Sequence, residues 1–194
     1  MGLRGVLLDL DGVIYESGTP IDGARETVEW ARGRGLPLLF LTNTTSRGRD
    51  ALVERLARCG IPASPDDLWS PIAATAAWLR ARGPGPVALF VRDVVRAEFA
   101  EFEQLPEDAE RGARWVVVGD LAEAWDYATL NRAFRLLHSD PRARLLALGM
   151  TRYWSTPTGI ALDVAPFVVA LAHAADREPV VLGKPAGAFF TAAA

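Results

Sequence analysis

Two carboxylates separated by one residue, Asp9 and Asp11, follow directly on the apolar run Val6-Leu7-Leu8 and precede Gly12. An unbroken apolar stretch of this kind reads as a strand buried on both faces. Acid at the carboxyl end of such a strand sits where open α/β sheets bind ligands. Strand side chains alternate, so the two acids would share a side, about 6 to 7 Å apart if the strand stayed regular. Two like charges that close are costly, and a divalent cation bound through oxygen ligands beside a phosphate, commonly Mg²⁺, would offset their repulsion. One carboxylate could then attack phosphorus while the other donates a proton to the leaving atom. Gly12 would let the backbone turn tightly beside a phosphate. The alternatives are a turn whose acids cap nearby amides, or a fragment of a calcium loop. The second lacks the third acidic or amide residue and the preceding helix that such loops have.

Thr42-Asn43 ends a second apolar run, and a hydroxyl with backbone N–H groups there suits a phosphate oxygen, although Thr and Asn also populate ordinary turns. Lys184, after Gly183, could neutralise a phosphate; the alternative is a solvated loop lysine. The ordered combination of Asp, Thr and Lys points to phosphoryl chemistry more strongly than any member alone.

The elements that must position these residues alternate. After the first strand, Ala24, Val28 and Ala31 mark a helix with Gly33 and Gly35 as stops, and Leu36–Leu41 reads as a second strand. Strand, helix, strand is the signature of a parallel sheet. A helix with Ser46 near its cap carries Leu52, Leu56 and Cys59 on one face. From Pro71 an Ala-rich helix, strands at Val87–Val91 and Trp115–Val118, a helix capped by Asp126, strands at Leu145–Leu148 and Gly159–Val164, and a helix opened by Pro166 compose a second α/β unit. Thr191-Ala192-Ala193-Ala194 reads as the beginning of a further helix.

The composition sets bounds. The 194 residues are 50% hydrophobic and 23% charged, with a formal net charge of −3, an ordinary globular balance with no disorder signature. The acidic balance lacks the basic field that nucleic-acid binding requires. One cysteine and two histidines cannot build an intrachain disulfide or a Cys/His zinc site. The opening apolar run is too short and too soon acidic for a signal peptide, and the run at Val164–Ala172 is interrupted by Pro166 and too short for a membrane span. These features lead to the expectation of a cytoplasmic protein with neither membrane nor nucleic-acid partners.

Asp9-Leu10-Asp11-Gly12-Val13, Thr42-Asn43-Thr44 and Gly183-Lys184-Pro185 resemble motifs one to three of the haloacid dehalogenase-like phosphatases. The inserted segment, with Val116-Val117-Val118-Gly119-Asp120, Tyr127 and Leu130, then Pro157-Thr158-Gly159, resembles the large cap of subclass IIA. Thr42-Asn43-Thr44-Thr45, Val95-Arg96-Ala97-Glu98-Phe99, Arg152-Tyr153-Trp154 and Leu162-Asp163-Val164 look most like phospholysine phosphohistidine inorganic pyrophosphate phosphatase-like members. The resemblance implies an α/β fold: a Rossmann-like parallel-sheet core from residues 1–71 and 181–194, with an α/β cap from residues 72–180. It implies Asp9 as a nucleophile forming an aspartyl-phosphate and Asp11 as general acid/base. Thr42, Asn43 and Lys184 would hold the phosphoryl group. Mg²⁺ would lie on the Asp9 carboxylate and the Asp11 main-chain carbonyl, and Arg152 and Tyr153 of the cap would select substrate.

The family's fourth motif, an acidic pair completing the metal site, lies after a further strand, and the sequence in hand stops ten residues past Lys184. The expected activity is Mg²⁺-dependent hydrolysis of small phosphorylated compounds, phosphoramidates or pyrophosphate. The alternative is a truncated, catalytically impaired remnant with at most weak phosphate binding. In the resembling fold that further strand lies beside the one bearing Asp9, so the resemblance implies a bared edge there and with it a homo-oligomer as an expected partner state.

Overall fold

The computed structural model describes residues 2–156 and 158–191. Pro157 of the expected Pro157-Thr158-Gly159 motif, and Ala192, Ala193 and Ala194 of the expected C-terminal helix, lie outside the described residues.

A three-stranded parallel sheet carries the first acids. Its strands are β1 (Val6–Asp9), β4 (Leu38–Leu41) and β5 (Leu68–Trp69), in the order β1-β4-β5. Between β1 and β4 the chain forms the small hairpin β2 (Tyr15–Glu16) and β3 (Thr19–Pro20) and then helix α1 (Ala24–Gly33). Helix α2 (Arg49–Arg58) connects β4 to β5. Leu10, Val28, Phe40, Leu52, Leu56 and Leu68 form one buried cluster between this sheet and its helices. Leu41 of the opposite face packs with Ala74 and Phe189.

The second sheet is parallel throughout, in the order β11-β8-β7-β6, from β6 (Val87–Phe90), β7 (Trp115–Val118), β8 (Arg144–Ala147) and β11 (Val180–Val181). All four residues of β6 and of β7 are buried, which is why their sequences are continuously apolar. The period of two divides them between layers. Val116 and Val118 meet helices α5 (Tyr127–Ser139) and α6 (Val164–Ala175). Trp115 and Val117 meet helix α3 (Pro71–Arg82) and the segment that includes α4 (Asp93–Arg96) and the turn Ala97–Phe99. The antiparallel hairpin of β9 (Tyr153–Thr156) and β10 (Gly159–Leu162) projects between β8 and α6, and α7 (Gly187–Thr191) follows β11.

Several local expectations change. Helix α6 begins at Val164, capped by Asp163, and Pro166 stands at its third position; first-turn N–H groups lack intrahelical acceptors, so proline is tolerated throughout that turn. Helix α2 begins at Arg49 with Gly48 as its N-cap, and Ser46 instead lies 3.4 Å from the Thr44 hydroxyl. The β1 strand is not buried on both faces: Leu7 is 54% exposed, on the edge strand of its sheet. Of the hairpin strands only β10 was expected, and it ends at Leu162, before the expected Val164; β2, β3, β9 and β5 are strands that apolar patterning does not announce. No helix among the described residues is long and apolar enough to cross a membrane.

Candidate active site

Strand β1 ends at Asp9, and the next residues fold back on themselves. The Leu10 carbonyl accepts from the N–H groups of Ile14 and Tyr15 at 2.9 and 3.2 Å, and the Gly12 N–H donates to the Tyr15 carbonyl at 2.8 Å. This tight turn holds Gly12 at φ +79°, where a Cβ would be strained. Asp11 is thereby carried out of the sheet to an exposed position while Leu10 is fully buried.

Lys184 reaches Asp9 from the end of the second sheet. A Cβ on Gly183 would lie 2.5 Å from the Leu148 carbonyl oxygen, so only glycine lets the chain pass β8 closely enough at that point. The Lys184 ammonium donates to Asp9 Oδ1 at 2.6 Å, and the Leu10 N–H donates to the same oxygen at 2.8 Å. No hydrogen bond to Oδ2 occurs among the described residues, and Asp9 lines the cleft described below. The Lys184 side chain is 15% exposed and that of Asp9 45%.

The loop after β4 completes this wall. Asn43 accepts the Lys184 N–H at 2.8 Å and donates to the Lys184 carbonyl at 3.2 Å. Thr42 is fully buried, and its hydroxyl oxygen accepts the Thr44 N–H at 3.1 Å, so it organises the loop from beneath. A cleft of about 480 Å³ is lined by Asp9, Asp11, Asn43 and Lys184, by the residues from Thr44 to Arg47, and by Arg55. Tyr15 also borders it. Burial, with the nearby Asp11 charge, pushes the Tyr15 phenol up to about 12, and the Arg55 guanidinium lies 4.3 Å from its ring centroid.

Asp120, Asp163 and Trp154 close the cleft from the other side. Asp120 follows β7 as Asp9 ends β1, accepts the Ala122 N–H at 2.8 Å and pairs with Arg92 at 2.8 Å. Burial raises the Asp163 carboxyl above its ordinary range, and the Asp120 charge adds to that shift against the opposing Val164 N–H. Arg152 and Tyr153 do not line this cleft. They are exposed, with the Arg152 guanidinium 5.8 Å from the Tyr153 ring centroid. Successive strand residues point to opposite sides, and of the adjacent pair in β9 it is Trp154, not Tyr153, that borders the cleft.

The structure thus brings Asp9, Asp11, Asn43 and Lys184 together, sets Thr42 beneath them and leaves Arg152 and Tyr153 outside. Sequence reasoning did not single out Arg47, Arg55 and Tyr15 as site residues, whereas Trp154 lies in the Arg152–Trp154 stretch expected to contribute selective contacts. Asp120 carried the same signal as Asp9, an acid closing a buried strand.

A family model described as haloacid dehalogenase-like hydrolase matches residues 6–103. The chain is 35% identical over 196 aligned residues to human phospholysine phosphohistidine inorganic pyrophosphate phosphatase, covering 99% of this chain and 70% of that protein. This chain belongs to the haloacid dehalogenase-like hydrolase family. It is also 34% identical to human haloacid dehalogenase-like hydrolase domain-containing protein 2, across 97% of this chain and 69% of that one. Among solved structures it resembles a p-nitrophenyl phosphatase from Archaeoglobus fulgidus, with TM-score 0.84, 27% identity, and coverage of 97% of this chain and 71% of that one. A hypothetical protein from Pyrococcus horikoshii has TM-score 0.88 at 24% identity, covering 96% and 74%, and shows the shared fold. The family and α/β fold expected from the motifs are borne out.

Proposed function

We propose that this hydrolase is a phosphatase for small phosphorylated compounds, phosphoramidates or pyrophosphate, working through Asp9 as nucleophile. The observation that carries this reading is the 2.6 Å contact between Lys184 Nζ and Asp9 Oδ1 at the wall of a cleft bordered by the loop from Asn43 to Arg47. With Oδ1 held by two donors, Oδ2 is the atom that would attack phosphorus. The bond from phosphorus to the leaving oxygen or nitrogen breaks as the Asp9 bond forms, and Asp11 delivers a proton to the leaving atom. Water then attacks the aspartyl-phosphate, with Asp11 taking its proton, and releases phosphate with Asp9 regenerated. Lys184 balances charge on the phosphoryl oxygens throughout, and Arg47 and Arg55 add positive field along the cleft.

The donor set fits Mg²⁺, a hard cation that retains several waters and takes one or two carboxylates. The Asp9 carboxylate and the main-chain carbonyl of Asp11 would hold it. When bound, Mg²⁺ supplies charge neutralisation for the transferred phosphoryl group. Residues 1–71 and 181–194 would act as the catalytic core and residues 72–180 as the cap. The buried free thiol of Cys59 accords with the proposed cytoplasmic setting.

A second reading, an impaired remnant that binds phosphate weakly, is favoured by one observation. Among the described residues no group of three or more His, Cys, Asp or Glu side chains gathers as a metal site. Phosphate release from phosphoramidate, pyrophosphate and p-nitrophenyl phosphate separates the two. Turnover that requires added Mg²⁺, stops with a chelator and disappears in Asp9→Asn supports the phosphatase. Phosphate binding without turnover supports the remnant, and turnover that survives Asp9→Asn overturns the assignment of the nucleophile.

A further inference from the structure

Arg49 opens helix α2, where the backbone N–H has no acceptor within the helix. Gly48, the N-cap residue, has no side chain to provide one. The acceptor comes instead from the other unit of the chain. Glu98 Oε1 accepts the Arg49 N–H at 3.0 Å, and Glu98 Oε2 accepts the Arg49 Nε–H at 2.8 Å. A carboxylate in this place satisfies an orphan donor and complements the positive end of the helix.

Glu98 is not a freely moving surface acid. Its side chain is 15% exposed, and its neighbours Val95 and Phe99 are fully buried in the cluster between the second sheet and α3. Such anchoring removes much of the side-chain entropy that makes exposed ion pairs weak. Among the described residues, Arg49–Glu98 is the one ion pair that joins residues 2–71 to residues 72–180.

The position of that bond gives it a consequence for the site. The loop lining the cleft runs from Asn43 to Arg47, one residue short of Gly48. Its front end is fixed by β4 and by the two hydrogen bonds between Asn43 and Lys184. Its rear end is fixed where α2 begins, and there Glu98 supplies the acceptor.

We propose that Glu98 is a positioning residue for the phosphate-binding loop: from the inserted unit it caps α2 and so fixes the loop from Asn43 to Arg47 beside the Asp9–Lys184 pair. This inference rests on the reading of that loop as phosphate-binding. The unit that covers the site would then also set the loop that grips the phosphoryl group.

The test measures affinity for inorganic phosphate in the full chain, together with amide hydrogen exchange over residues 43–52 and, as a distant reference, residues 127–139. Glu98→Ala should weaken phosphate binding about tenfold, the scale of a lost helix cap. It should speed exchange over 43–52 and leave 127–139 unchanged. Glu98→Gln keeps a carbonyl acceptor for the Arg49 N–H and should recover most of the affinity. Wild-type affinity in Glu98→Ala, or equal acceleration of exchange in both segments, overturns the inference while leaving the phosphate site intact. Absence of phosphate binding by the unaltered chain overturns the phosphate-binding reading itself, and this inference with it.

Discussion

Asn43 and Lys184 hold each other through two hydrogen bonds across 141 residues, the lysine N–H donating to the amide oxygen at 2.8 Å and the amide nitrogen donating to the lysine carbonyl at 3.2 Å. The pair orients the backbone from which the ammonium reaches Asp9. At about 1 kcal/mol per hydrogen bond, Asn43→Ala should lower kcat/KM by about thirtyfold. Steady-state kinetics beside a thermal unfolding curve checks this, since the loss should exceed any change in stability.

Tyr15 gives a pH dependence with a definite sign. Its phenol ionises near 10.0 in an unfolded chain and at about 12 in the folded one, because burial and the Asp11 charge disfavour phenolate. The stability it contributes is therefore complete below pH 10 and is lost as pH rises toward about 12. Denaturant midpoints from pH 9 to 12 should fall more steeply for the wild type than for Tyr15→Phe. Equal slopes would assign alkaline sensitivity to another group.

Asp163 should behave in the same sense at the acid end. Its carboxyl is raised in the folded state by burial and by Asp120. Its favourable contribution is thus full below its unfolded value of 3.8 and is lost as pH rises through the folded value. Asparagine also caps helices well. Asp163→Asn should therefore gain stability relative to the wild type on going from pH 3 to pH 7, measured as the difference in urea midpoint.

Substrate selection supplies a fourth outcome. Trp154 borders the cleft, whereas Arg152 and Tyr153 do not line it. Trp154→Ala should raise KM about fivefold to a hundredfold for substrates with a bulky leaving group, an effect of about 1 to 3 kcal/mol for a lost apolar contact, with little change for the smallest phosphoramidate. Arg152→Ala and Tyr153→Ala should stay near wild-type kinetics. A reversed pattern would return selectivity to the residues first expected.

The strands that bury both faces were legible because burial leaves no place for polar residues: Val87–Phe90 and Trp115–Val118 are apolar throughout. Asp9 stood out as an acid closing an apolar run, and Asp120 closes Trp115–Val118 in the same way, although the sequence reading did not assign it to the site. The strand Gly159–Leu162 was expected, but its partner Tyr153–Thr156 is largely exposed and carried no signal of which of Arg152, Tyr153 and Trp154 borders the cleft. Ser46 looked like a cap because its residue type fits. The acceptor for α2 came instead from Glu98, a contact across 49 residues that no local pattern encodes. Lys184 was legible by its motif, whereas its path to Asp9 depends on Gly183 passing the Leu148 carbonyl.

The ammonium arrives at its carboxylate by way of β11, the outermost strand of the second sheet, joined to that sheet by two residue pairs. Fraying of so short a strand would withdraw the cation and leave the first sheet untouched. Heat or a protease should silence such a catalyst while most of its spectroscopic structure persists, and loss of turnover would be the early warning of a melt that circular dichroism sees only afterwards.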